Sequence, residues 1–255
     1  MPRQAEGPEW GFPNRATPFG SPAYYALRFS PAARLEYDAR LLAWYGLVRE
    51  IAAQPRDPGV ARLKLDWWRS ELARVAAGSP SHPLSSELVG LGLGADVLPT
   101  MQEVVDGAEW ELRSPQPDGL DDFVRRCRNA DGLLFVLLAD NAPDLYEACL
   151  AAGAFCAALE RIRRAALEPS ALPNALDPAR LCRMQPAERT AACEAALDRT
   201  NLSAPAMALL PPAARRLTAL AQAMRNKLRR RGYPCAGTVL DRPPIAHLWT
   251  AWRCR

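Results

Sequence analysis

Apolar residues along this chain recur every three or four positions, and runs that alternate β-branched with polar residues are almost absent. A period of 3.6 buries a stripe only on a helix, so this one feature excludes sheet architectures. Leu35, Leu41, Leu42, Tyr45, Val48 and Ala52 form one such stripe, and Ser30-Pro31 ahead of it is a helix-start signature. A second helix is expected from Pro58 to Ala77, with Leu63, Trp67, Leu72 and Val75 facing inward. Further helices are expected near 84–93, 98–113, 119–139, 144–165, 187–200, 203–209, 212–231 and 243–253. Gly78, Pro83, Pro115, Pro117, Pro143, Pro173, Pro211, Pro212 and Gly232 fall at or near their ends. Residues 1–19 are dense in Pro and Gly and read as a flexible arm. The pattern therefore predicts an all-α chain, with one helical domain over 20–255.

Charge and motifs narrow the function by exclusion. The 32 basic and 28 acidic side chains leave a formal +4, too small a surplus to mark a nucleic-acid binder. Seven scattered cysteines with no C-x-x-C pair signal neither a disulfide framework nor a zinc site, and fit a reducing cytosol. The first twenty residues lack the continuous apolar core of a secretory signal. "LLFVLL" at 133–138 is far too short to span a membrane. Zincin, Walker-type and nucleophile-elbow motifs are missing. "GLGLGA" (90–95) reads as a helix break, His82-Pro83 as a helix entry, and His247 as a partly buried helical residue.

Acids then remain as the chemistry-bearing groups. Asp118 and Asp122 lie four apart at a helix start, where they favour the dipole. Glu194 and Asp198 sit on an otherwise polar face, and Glu103, Asp106, Glu109 and Glu111 cluster beside Trp110 on what reads as a solvated one. Of the adjacent Trp67 and Trp68, one is expected in the core and the other on a cavity or partner surface. The basic triplets Arg125/Arg126/Arg128, Arg161/Arg163/Arg164 and Arg229/Arg230/Arg231 read as solvated faces, or as contacts to anionic lipid.

Several stretches, taken in order, resemble the squalene/phytoene synthase family, the head-to-head prenyl transferases. "SPAYYALRFSPAARLEYDARLLAWYGLVREIA" resembles the family's opening helix pair, and "LDWWRSELARVAAG" followed by "HPL" its Trp-Arg-x-Glu-Leu helix and His-Pro. "VVDGAEWEL", "ALLPPAARRLTAL" and "LRRRGYPC" are similar to later segments. The resemblance spans roughly residues 20 to 255 and implies an isoprenoid-synthase bundle around an apolar cavity. In active members two aspartate-rich helices hold magnesium ions that grip a prenyl diphosphate, because Mg²⁺ takes hard oxygen ligands and diphosphate needs its charge neutralised.

This chain departs from that pattern. Positions matching the first motif's aspartates hold Arg49, Glu50 and Ala53. In the second motif Gly153 and Arg163 match, but Glu160 and Arg164 replace the asparagine and the first aspartate, and only Glu168 keeps an acid. The paired loss, and the C-terminal "LWTAW", resemble the non-catalytic complex I assembly-factor branch of the family. The expectation is therefore a catalytically silent, cytoplasmic protein, free or peripheral at a membrane, that binds an isoprenoid or other lipid-like ligand or acts as a scaffold for a protein partner. No cofactor is expected and no nucleic acid. The alternatives are a membrane-surface adaptor, or an active prenyl transferase in which Arg49, Arg163 and Arg164 clasp the diphosphate. In that last case Tyr25, Tyr45 and Trp110 line the substrate site, and Glu50 and Glu168 retain Mg²⁺.

Overall fold

Helix α2 (Ala32–Ala53) has ten buried side chains among its 22 residues, on all sides between Tyr37 and Tyr45, so it must run through the interior. The computed structural model describes residues 9–53, 57–167, 171–234 and 239–254. Ahead of α2 stands the short α1 (Pro22–Leu27), capped by the Ser21 hydroxyl accepting from the Tyr24 N–H. α3 (Pro58–Ala76), α4 (Pro83–Gly90) and α5 (Leu98–Arg113) follow and pack beside α2. α6 (Leu120–Cys127), a π-helical turn (Arg128–Gly132) and α7 (Leu133–Leu138) form one interrupted rod. α8 (Tyr146–Arg163) crosses that rod with buried positions on nearly every side from Ala148 to Leu159. The chain finishes with α9 (Pro178–Arg183), α10 (Pro186–Asp198), α11 (Ala204–Leu209), α12 (Pro212–Arg230) and α13 (Pro244–Arg253). Among the described residues there is no strand, and the all-α class stands.

Two glycines decide how closely the rod and its neighbours approach. A Cβ at Gly153 of α8 would stand 2.1 Å from the Asp131 carbonyl oxygen, and one at Gly107 of α5 would stand 2.9 Å from the Asn129 carbonyl. Both contacts are to backbone, which cannot swing aside. The π turn is thus seated between two helices at positions where no side chain fits, and this carries Asp131 into the interior.

Three local expectations need correction. On α3 the buried positions are Ala61, Leu65, Trp68, Glu71 and Leu72, while Leu63 and Trp67 are 69% and 42% exposed. The stripe turns because Glu71, the acid of "WRSEL", is drawn inside to accept the Ser81 and His82 N–H groups at 2.9 and 2.8 Å and the Ser81 hydroxyl at 2.6 Å. Burial raises its pKa, but these donors outweigh burial and bring it to about 2. Residues 9–19 are not loose. Trp10 and Phe12 pack on the core, Thr17 is fully buried, and Asn14 donates to the Ala39 carbonyl at 2.9 Å. Finally, Cys182 is disulfide-bonded, a linkage for which the spacing held no signal.

Candidate functional site

The inner end of α2 brings Tyr45 and Arg49 to one side, a helical turn apart. Opposite them α5 supplies Glu111, α8 supplies Arg161, and the π turn supplies Asp131. Arg49 Nη2 donates to Glu111 Oε2 at 2.6 Å, and Arg161 Nη2 donates to Glu111 Oε1 at 3.0 Å. One carboxylate therefore braces three helices, each oxygen taking one guanidinium. The three side chains keep 20%, 16% and 13% of their surface, so the triad is largely buried.

Charge in this cluster is fixed by its neighbours. Burial would raise the Glu111 pKa, but the Arg49 and Arg161 guanidiniums outweigh it and hold the carboxyl near 2. Asp131 moves the other way. It accepts no comparable fork, burial dominates, and its pKa is raised although both arginines oppose the shift. The Tyr45 hydroxyl lies against Asp131 and helps hold that pKa down, but without the alignment of a full hydrogen bond. Burial and the Asp131 charge push the Tyr45 phenol well above its ordinary range. Burial also lifts the Cys127 thiol beside the cluster to about 12, so it stays protonated.

The remaining residues marked by the sequence lie elsewhere. Glu50 faces outward, pairs with Arg15 at 2.8 Å, and lines a 720 Å³ cleft with Ile51, Trp67, Trp68 and His82. Ala53 is exposed at the end of α2. Arg163 pairs outside the cluster, donating to Glu160 at 2.6 Å and to the Leu240 carbonyl at 2.9 Å. Arg164 caps α8 through its N–H to the Glu160 carbonyl. Trp110 lies under the Arg125 and Arg126 guanidiniums, 5.0 and 4.6 Å from its ring centre. Tyr25 belongs to the α1–α12–α13 cluster beside His247. Glu168 lies outside the described residues. Sequence reasoning had Arg49 and Tyr45, placed Glu111 on a solvated face, and did not single out Asp131. The signal for Asp131 was the following Gly132, a helix-weakening residue immediately before the apolar run 133–138.

A second Arg–acid–Arg group sits at the start of α2. Asp38 is fully buried, with Arg34 Nε at 2.8 Å but off the hydrogen-bond direction. Arg34 spends its other nitrogens on Asp140 and the Leu138 carbonyl. Arg216 spends its own on the Ala26 carbonyl and the Ser30 hydroxyl. Burial raises the Asp38 pKa to about 7, with Asp140 adding to the rise and Arg34 opposing it.

An all-α chain with these helix crossings has the isoprenoid-synthase fold. In particular, it is similar to the crystal structure of a dehydrosqualene synthase in complex with ligand, with a TM-score of 0.65 at 14% identity, covering 91% of this chain and 90% of that one. At that identity the likeness shows the fold. No protein-family model and no curated protein matches the sequence.

Proposed function

We propose that this protein is a catalytically silent member of the isoprenoid-synthase fold, a scaffold in which an arginine–glutamate–arginine brace stands where metal-dependent members carry an acidic mouth. The observation that supports it is the convergence of Arg49 and Arg161 on Glu111, from α2, α8 and α5. Each guanidinium about 4 Å from a divalent ion is repelled by roughly 8 kcal/mol at an effective dielectric near 20. Arginine cannot shed that charge. Glu111 has both oxygens committed, and the burial-raised pKa of Asp131 makes it a reluctant anion. This donor set does not suit a magnesium cluster.

The test is incubation of the purified protein with farnesyl diphosphate and Mg²⁺. The expected result is no release of pyrophosphate and no condensed product. Product formed at an ordinary enzymatic rate overturns the reading. A second reading, retained binding of an anionic lipid-like ligand, is favoured by the partial exposure of the two arginines, whose remaining N–H groups suit phosphate oxygens. It predicts that farnesyl diphosphate raises the melting temperature without Mg²⁺, and that Arg161→Gln abolishes the rise. Equal shifts in both proteins rule it out.

A further inference from the structure

α13 is a short helix with two unlike faces. His247 and Ala251 are buried against α1 and α12. Ile245, Trp249 and Trp252, at i, i+4 and i+7, share the opposite face. Ile245 is 69% and Trp249 58% exposed, and the two indole rings stack with centres 5.2 Å apart. Exposing that much apolar surface along one stripe is unfavourable in water unless something covers it. Another exposed aromatic, Phe19, stands close by. Its neighbour Gly20 abuts α13, since a Cβ there would lie 3.8 Å from Pro244 Cγ.

Positive charge flanks the stripe. Lys227, Arg230, Arg231 and Arg242 line a 500 Å³ cleft that ends at Pro243, immediately before α13. Arg242 is fixed along the side of α13 by donating to the Ala246 carbonyl and the Thr250 hydroxyl. Arg253 is exposed in the last turn of α13. Arg230, Arg231 and Arg253 have no ion pair among the described residues. Asp241 is the acid nearby, with its carbonyl accepting from Lys227 and its carboxylate 3.7 Å from His247 Nε2.

We infer that α13 and the adjoining basic cleft form a docking surface for an anionic phospholipid bilayer, with Ile245 and Trp249 entering the headgroup–acyl boundary while Arg230, Arg231 and Arg253 meet lipid phosphates. Indoles favour that boundary because an apolar ring with one N–H suits a layer wet on one side. The stripe alone would fit many partners, and the row of cations beside it selects a negatively charged one. Among the described residues no helix is long and apolar enough to cross a membrane, so attachment is at the surface.

Vesicle flotation tests this. The full chain is mixed with phosphatidylcholine vesicles with and without 30% phosphatidylglycerol, and Trp249→Asp and the pair Arg230→Gln/Arg231→Gln are compared. These side chains are exposed, and circular dichroism checks that each variant keeps its helices. The expected result is flotation only with the anionic vesicles, lost in Trp249→Asp. Affinity should fall roughly thirtyfold in the double arginine variant, at about fivefold per cation near the surface. Equal flotation on neutral vesicles overturns the inference, as does unaltered binding in either variant. So does self-association through Trp249 with no vesicle binding. None of these results bears on pyrophosphate release, so the failure of the docking surface and that of the proposed function are distinguishable.

Discussion

Two carboxyls largely withdrawn from solvent, one on α2 and one facing it, each lie between two arginines, yet their pKa values shift in opposite directions. Glu111 is met head-on by Arg49 and Arg161 and titrates near 2. Asp38 has Arg34 and Arg216 close by, but their N–H groups are aimed at Asp140, Leu138, Ala26 and Ser30, and it titrates near 7. The difference lies in direction and in a second acid, since Asp140 adds to the rise at Asp38 while two guanidinium charges oppose burial at Glu111. A cation nearby offsets part of the cost of burying a carboxylate, whereas donors aligned on both oxygens reverse it. This is why the first group can tie three helices together while the second is a reservoir of pH sensitivity.

The harshest way to break the comparison is Glu111→Gln. Two guanidiniums would be left half-buried with a neutral neighbour, and a loss of about 3–5 kcal/mol is expected from urea unfolding. An unchanged midpoint would mean that the triad is not a brace.

Next comes the pH dependence of stability. Asp38 has a folded pKa near 7, above its unfolded value near 3.8, so the folded state holds a proton that the unfolded chain has released. Its contribution is complete below pH 4 and is lost as pH rises through 7, roughly 2–4 kcal/mol in all. Asp38→Asn should flatten that decline. Glu111 has the opposite sign. Its folded pKa near 2 lies below the ordinary 4.5, so its contribution is present above pH 4.5 and fades as pH falls through 2. Urea midpoints measured from pH 2 to 8 would separate the two, and a wild-type curve that is flat between pH 4 and 7 would refute the Asp38 half.

A smaller effect is expected at Gly153→Ala, about 1–3 kcal/mol from the clash with the Asp131 backbone. Because the clash displaces the π turn, the raised pKa of Asp131 should move as well, visible by carboxyl-detected NMR. Smallest is Arg163→Ala. That residue pairs with an exposed Glu160, and a change within about 1 kcal/mol is expected in thermal unfolding.

The helices were legible because their cues are local. α5 begins at Leu98 and ends at Arg113, as its period and flanking residues predict, and α12 and α13 lie within a residue of their expected bounds. α1 and α9 are six residues each, too short for a period to show. The arginine–glutamate–arginine cluster was half legible. Arg49 could be marked because the aligned position calls for an acid. Glu111 could not, because the feature that draws it inward is a pair of arginines 62 and 50 residues away. Trp67 and Trp68 are a similar case. Adjacent tryptophans must point apart, but only the pull of Ser81 and His82 on Glu71 decides that Trp68 is the one inside.

The π turn at Arg128–Gly132 holds one more residue than an α-helix of the same height. That spare residue works as a phase shifter, letting Phe123 and Cys127 before it address one wall and Leu133 to Leu138 after it another. Excising one residue there should relax the stretch to an unbroken α-helix of the same height, with the segments on either side keeping their orientation. The six-residue apolar block of α7 would keep its flank, so a one-codon deletion at this point is expected to cost less than the same deletion inside α8, where everything beyond would turn by about 100°.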